Sequence, residues 1–305
     1  MQGSRRAMAL LVTMMFVVAI TVAIAFGLKQ VNSASSVIKS ENFIYQSSML
    51  VEDILNILEN SKAVQKVIDS NSSSDFYAFL SQAAFIPLEV DGLEVVVKIS
   101  SARSKFNPNE LVEGGKIQKN RVAMLKQYFT THMVNSDYVD ILLDNMSKIK
   151  ADNSYNSRIF DANPSLFRDY IASVKHLKKI NDFYAQEYND NSLKNINFKN
   201  LFYFSSDRDI AIDLNYATPE VWEMILGCQK DRAKFLSDGG GGYEKEADLN
   251  LQPEEIVNLH KFKVSYYEPI IQVEIEIMQN DNDAKVRFEY DIKKKKVSNF
   301  VYESK

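Results

Sequence analysis

The sequence has a single cysteine, Cys228, in 305 residues, which excludes an intrachain disulfide and a thiolate zinc cage. With no histidine beside it in sequence, Cys228 is expected to be a buried free thiol rather than a nucleophile. The three histidines, His132, His176 and His260, lack partners at metal-ligand spacing. No GxSxG or HExxH occurs, and Gly239 to Gly242 is followed by Tyr243-Glu244 rather than the Lys-Ser of a phosphate-binding loop. A non-enzymatic protein is expected. Positive charge is not in excess either: Lys+Arg 36 against Asp+Glu 40 gives a net charge of -4, so no overall basic field invites nucleic acid.

What is present is ordinary globular composition, 46% hydrophobic and 25% charged, enough for a sizeable core and for one large or two modest domains. One segment departs from that average. Met8 to Leu28 carries no charge and only Thr13 and Thr21 as polar breaks, and as a helix it would extend about 31 Å, the thickness of a bilayer core. Arg5 and Arg6 precede it, so the positive-inside rule leaves the short N-terminus in the cytoplasm and everything after Leu28 outside. A cleaved secretory signal is the alternative, with Ala23-Ile24-Ala25 as its small-x-small site, but the apolar run continues past that point.

After Leu28 no proline occurs before Pro87 and no glycine before Gly92. Apolar residues at Val31, Ala34, Ile38, Tyr45, Val51, Leu55 and Leu58 predict an amphipathic helix that continues the span to about Ser70, where Ser70 to Ser74 ends it. Asp91-Gly92 between β-rich runs predicts a two-residue hairpin. Near the far end Ile271, Val273, Ile275 and Ile277, then Val286, Phe288, Tyr290 and Ile292, alternate with polar residues. They predict antiparallel strands with one wet face, carrying Lys285, Arg287, Glu289 and Asp291, with a turn at Lys293 to Lys296 and a last strand from Val297 to Tyr302. Between these β regions, Leu125 to Phe129, Val139 to Met146 and Leu166 to Tyr184 have helical spacing. Thr218 is a natural N-cap, Pro219 fits the first helical position, Glu220 suits the positive end of the dipole and Gly227 a left-handed stop. Asp248 to Ile256 repeats that theme, and the Gly239 to Gly242 run is expected to be a flexible separator of the two helices.

The Arg-rich leader followed by MALLVT, and an apolar helix running into an amphipathic half, resembles the start of type IV pilin-like proteins. More narrowly the chain is similar to the K family of minor pseudopilins of type II secretion systems. Lys105-Phe106-Asn107-Pro108-Asn109-Glu110-Leu111 resembles that family's Lys/Arg-Phe-Asn-Leu-Asn-x-Leu. Leu142-Leu143-Asp144 matches the start of its Leu-Leu-Asp-Trp-x-Asp, with Asn145 and Ser147 replacing the Trp and the second Asp. Ile212 to Trp222, with Asp213, Asn215, Thr218, Pro219 and Glu220, is close to its Ile-Asn-Val-Asn-Thr-Ala-x-Pro-Glu-Val-Leu.

The resemblance implies cleavage by prepilin peptidase between Ala7 and Met8, although pilins normally have Gly before the cut, with methylation of the new N-terminus. It implies partnership with other minor pseudopilins through the N-terminal helix, insertion in the bacterial inner membrane with the body in the periplasm, and a place at the filament tip. Val12 stands where most pilins carry a Glu for the preceding subunit, as in the K pseudopilins, and a subunit with no predecessor has no use for a buried charge. Some K pseudopilins bind calcium, which makes calcium the one conceivable cofactor. The acids Asp137, Asp140, Asp144 and Asp152 form one neighbourhood and Asp207, Asp209 and Asp213 another, with Asp144 and Asp152 as candidate ligands. Helix-hairpin-helix DNA binders share an Asn-x-Asn-x-Ala pattern, but no Gly-x-Gly hairpin follows Leu226, so nucleic acid is not an expected partner.

The expected architecture is α+β: a leader over residues 1–7, a long N-terminal helix over 8–70 that spans the membrane over 8–28, first pilin-like strands over 85–103, an inserted all-α domain over 104–261 and an antiparallel β-meander over 262–305. The expected function is to cap a secretion pseudopilus and initiate its assembly. Alternatives are a minor pilin of a DNA-uptake or type IV pilus machine, and a bitopic protein with a periplasmic ligand-binding domain. Asn71 in Asp69-Ser70-Asn71-Ser72-Ser73 is a candidate glycosylation site.

Overall fold

A computed structural model describes residues 41–90, 92–279 and 282–304. The expected leader, the expected cleavage site at Ala7–Met8 and the segment 8–28 expected to span the membrane lie outside the described residues. Among the described residues no helix is long and apolar enough to cross a membrane.

The described chain begins in a helix over residues 41–60, α1. The helix α2 (Lys62–Ser70) follows with a break between them, so the continuous helix expected to about Ser70 is two helices in this stretch. The break sits at Ser61, whose extended backbone and side chain accepting from the Ala63 N–H make it a new N-cap. After α3 (Ser73–Ala83) come β1 (Phe85–Val90) and β2 (Leu93–Ser101), joined in register Val90↔Leu93 as a two-residue hairpin. The chain then leaves the sheet for a helical body. In order this holds β3 (Val112–Glu113), β4 (Lys116–Ile117), α4 (Lys119–Thr131), α5 (Asp137–Asn145), α6 (Ile159–Ala162), α7 (Val174–Glu187) and α8 (Phe198–Leu201). It continues through β5 (Ile212–Asp213), α9 (Pro219–Leu226), α10 (Lys230–Asp238), α11 (Pro253–Leu259) and β6 (Val264–Ser265), the last paired in parallel with β5. The chain ends in β7 (Ile270–Gln279), β8 (Asn282–Asp291) and β9 (Lys296–Ser304).

The five-stranded sheet has the order β1-β2-β7-β8-β9, antiparallel throughout. The structure is thus α+β with an antiparallel sheet. Because β2 and β7 are neighbours, with Ser101 opposite Ile271 and the Ala102 N–H donating to the Ile270 carbonyl at 2.9 Å, the helical body leaves and rejoins the sheet at one point. The sheet's inner face carries Val95, Val97, Val273, Ile275, Val286 and Phe288, and α1 lays Phe43, Leu50, Val51, Ile54 and Leu58 on it. These positions recur at the helical period, and each large apolar side chain so buried contributes about 1.5–3 kcal/mol. The helical body has its own core, with Trp222, Phe129, Tyr138 and Tyr184 at its centre.

Two expectations for this body are corrected. The helix expected from Leu166 begins only at Val174, after Ser173 caps it by accepting from the His176 N–H. The preceding segment is captured by a side chain: Asn109 Oδ1 accepts from the Ile171 N–H at 2.7 Å and its Nδ2 donates to the Ile171 carbonyl at 3.1 Å. Both backbone groups that a helix would use are thereby taken. The Gly239 to Gly242 run is likewise no free separator. The Gly241 N–H donates to Asn215 Oδ1 at 2.9 Å, and a Cβ on Gly241 would lie 2.3 Å from the Tyr77 ring of α3. This close approach, with φ +90° at Gly241, is what glycine supplies there.

Candidate functional site

The residues that carried the resemblance are built mostly into the helical body, with Asp213 reaching the segment that returns to the sheet. Phe106 is fully buried, bridges Phe202 and meets Phe262 edge to face; Leu111 is fully buried in the same core. Asn107 Nδ2 donates to the carbonyls of Ser205 (3.2 Å) and Asp207 (2.7 Å), and Asn109 Nδ2 also reaches the Ser205 carbonyl at 2.9 Å. The two amides therefore tie three backbone segments that no regular ladder joins.

Asp213 accepts from the backbone N–H groups of Asn215 (3.0 Å) and Glu268 (2.8 Å), yet burial outweighs these bonds and pushes its carboxyl up to about 7. Asn215 uses every hydrogen-bonding position of its amide: Nδ2 donates to the carbonyls of Tyr243 and Tyr266, and Oδ1 accepts from Gly241 and Tyr243. Thr218 caps α9 by accepting from Val221 and donates to the Asn200 carbonyl at 2.8 Å, Pro219 occupies the first turn, and Gly227 closes the helix with φ 67°. Glu220 Oε1 accepts from the side-chain amides of Asn197 and Asn200. These side chains all bond to their own chain, a set of struts in which no acid, base and nucleophile converge.

Calcium fits the described arrangement poorly. Asp144 is buried, and its four hydrogen bonds come from the N–H and Nδ2 of Asn156 and the N–H and Oγ of Ser157. Three of those four donors are nitrogens, which calcium does not take as ligands, while the ion wants six to eight oxygens. Asp152 is exposed and turned to Ser154, whose backbone N–H and hydroxyl hold its Oδ1. The two candidate ligands are engaged separately, and no group of three or more His, Cys, Asp or Glu among the described residues is placed to hold a metal.

The histidines sit apart: His132 Nε2 lies 3.5 Å from Glu223, His176 Nε2 faces Asn145 Oδ1 at 3.2 Å, and His260 Nε2 meets Glu246 at 2.6 Å. Cys228 is half-buried, its thiol pushed up to about 11 by burial, so it stays protonated near neutrality.

The surface offers a different kind of site. Along the face of α1 turned away from the sheet, Tyr45, Met49, Asp53 and Ile57 follow one another at i, i+4 spacing. Tyr45 and Ile57 are each 66% exposed and Met49 50%, with Ile44 beside them at 41%. Tyr45, expected in the same stripe as Val51 and Leu58, belongs to this outer row, because a four-residue step from Tyr45 never meets the 43, 47, 50, 54, 58 positions that touch the sheet. At one edge of the sheet β1 exposes Phe85, Leu88 and Val90, with Pro87 between them. Nothing in composition signalled which apolar residues of α1 would be left outside; only the phase of the helix against the sheet decides it.

No protein-family model and no curated relative matches the sequence. The structure is similar to a chain of the crystal structure of the GspK-GspI-GspJ complex from the enterotoxigenic Escherichia coli type 2 secretion system. The TM-score is 0.57 at 14% sequence identity, and the match covers 88% of this chain and 99% of that chain. An antiparallel sheet backed by an N-terminal helix, with a helical body inserted between two adjacent strands, is thus a GspK-like fold.

Proposed function

We propose that the chain is a non-enzymatic minor pseudopilin that caps the tip of a periplasmic secretion pseudopilus and starts its assembly. The observation that carries this reading is the likeness over nearly the whole length to a chain from a complex of three such proteins. The exposed apolar row of α1 supports it, since an unpartnered helical stripe is what a neighbouring helix would cover. In this reading Met8 to Leu28 anchors the chain in the inner membrane with the N-terminus in the cytoplasm, and prepilin peptidase cuts between Ala7 and Met8. Other minor pseudopilins pack along the N-terminal helix, and the bulk of the helical body hinders a further subunit above it.

The test has two arms. The exact mass of the protein from cells with and without prepilin peptidase is expected to show a chain beginning at Met8 only when the peptidase is present. Co-purification with the other pseudopilins of the same cell, and loss of protein export on deletion, complete the expected result. An intact Met1 in both strains with no pseudopilin partner overturns the reading, and loss of DNA uptake with export unchanged moves the protein to the uptake machine.

A further inference from the structure

The segment Asp69-Ser70-Asn71-Ser72-Ser73 has a hydroxyl residue two positions after an asparagine and a carboxylate two positions before it. Asn-x-Ser is the acceptor pattern of N-glycosylation, and an acid at the earlier position is the extra element that one class of bacterial oligosaccharyltransferase demands. A second Asn-x-Ser occurs at Asn145-Met146-Ser147, with Leu143 where the acid would stand.

The fold treats the two asparagines oppositely. Asn145 is fully buried, its Nδ2 donating to the Ile141 carbonyl at 2.9 Å and its Oδ1 facing His176. A transferase reaches it only by opening the core of the helical body. Asn71 is exposed in the loop between α2 and α3, in the left-handed region with φ 48°. Its backbone N–H closes α2 on the Val67 carbonyl, while its side-chain amide makes no hydrogen bond among the described residues.

The two other residues of the pattern, Ser73 and Asp69, are lightly engaged. Ser72 takes the capping role for α3 by accepting from the Ser74 N–H, which leaves the Ser73 hydroxyl without a partner among the described residues. Asp69 is exposed and, among the described residues, is held only by Gln65 Nε2 at one oxygen. Beside it the surface of α2 is an open hollow lined by Lys62, Gln65, Lys66, Asp69 and Ser70. The five residues run from the last turn of one helix into the first turn of the next, where helices fray, and none of them is a core side chain; the partly buried Ile68 and the buried Val67 and Phe76 lie just outside the segment.

We infer that Asn71 is the acceptor of an N-linked glycan delivered from a lipid diphosphate-linked oligosaccharide. Asn71 Nδ2 bonds to the anomeric carbon of the first sugar, the bond from that carbon to the phosphate oxygen breaks, and the lipid diphosphate leaves with the electron pair. The amide nitrogen gives up one proton to the transferase, and no oxidation state changes. The inference rests on the proposed function only for placing the body outside the cytoplasm, where lipid-linked donors face the acceptor.

The experiment is the intact mass of the full-length protein purified from its own bacterium, beside Asn71→Gln and Asp69→Ala, with protease accessibility of the body in spheroplasts as a companion measurement. Neither substitution touches the core, so both variants stay folded. The expected result is a protease-accessible wild type heavier than its polypeptide by a discrete glycan mass, located on the peptide containing Asn71 and lost in both variants. A body reached by protease but found at bare polypeptide mass overturns the inference and leaves the assembly reading standing. Added mass that survives Asn71→Gln overturns it equally. A body shielded from protease and unmodified overturns the outward placement, and the inference with it.

Discussion

Arg103 and Glu289, 186 residues apart in sequence, form a buried ion pair with Nη1 2.9 Å from Oε2, across the join of helical body and sheet. Glu289 lies on β8, and its other oxygen accepts from the Tyr203 hydroxyl at 2.6 Å and from Asn299 Nδ2 of β9 at 2.8 Å. Arg103 stands where the chain leaves β2 and stacks over the Tyr203 ring, 5.3 Å from its centre. The carboxylate thus gathers donors from the connection out of the sheet, from the body and from the last strand.

Removing one partner strands the other charge in a site with little water. Arg103→Leu is expected to cost about 3–5 kcal/mol, the usual penalty for an uncompensated buried charge. The double replacement Arg103→Leu with Glu289→Leu is expected to recover much of that loss, since a buried pair gains little over apolar packing of similar size. Urea unfolding of the wild type and three variants measures the coupling; costs that simply add would show that the two charges do not act as a pair.

Glu110 provides a pH-dependent contribution of definite sign. Its Oε1 is buried with no hydrogen-bond partner, Arg121 stands 3.6 Å from Oε2, and burial outweighs that cation to push the carboxyl up to about 8. A free carboxyl titrates near about 4.3, so this group's stabilising share is complete below that value and is lost as pH rises through about 8. The loss runs at on the order of 1 kcal/mol per pH unit across the window. In Glu110→Gln that slope is expected to vanish, so the stability of the variant relative to wild type rises between pH 5 and about 8. Asp213, raised in the same direction, titrates in both proteins and drops out of the comparison. Equal pH profiles for the two proteins would falsify the assignment.

The features that the sequence made legible are those carried by neighbours in the chain. The alternation from Ile271 to Ile277 put those side chains on the inner face, and Thr218-Pro219 with Gly227 marked the bounds of α9. What escaped were choices made by distant partners. Glu289 reads as one more polar residue on the wet face of β8, yet it is 4% exposed because Arg103 and Tyr203 cover it from the helical body. Tyr45 reads as part of the buried stripe, because the phase of α1 against the sheet is set by side chains more than two hundred residues away, Val273 and Phe288 among them. The Asn-x-Ser pattern at Asn71 is legible in the sequence, whereas the contrast of this exposed asparagine with the buried Asn145 needs the fold.

Gly241 tests how tightly the body is seated on α3. Alanine there meets both the positive φ and the Tyr77 ring, 2.3 Å from the new methyl, and is expected to destabilise by about 1–3 kcal/mol. Tyr77→Ala removes the ring but not the backbone strain. Adding Gly241→Ala to Tyr77→Ala is therefore expected to cost less than adding it to the wild type, by the share that the steric contact contributes. Thermal unfolding of the four proteins decides it, and an unchanged cost in the Tyr77→Ala background would assign the whole effect to the backbone.

The outer row of α1 separates assembly from folding. Tyr45 and Ile57 are largely exposed, so Tyr45→Arg and Ile57→Arg are expected to change unfolding free energy by no more than about 0.5 kcal/mol, as surface substitutions do. Val51→Arg, one face away and buried against the sheet, is expected to prevent folding. If neighbouring helices cover the row, the two surface variants lose co-purification with the other pseudopilins while keeping their circular dichroism and melting profile, because a long guanidinium side chain overfills a packed helical seam even with Glu41 or Asp53 one turn away. Retained partner binding in Tyr45→Arg and Ile57→Arg together would place the assembly surface elsewhere, with the exposed Phe85, Leu88 and Val90 of the β1 edge as the next face to substitute.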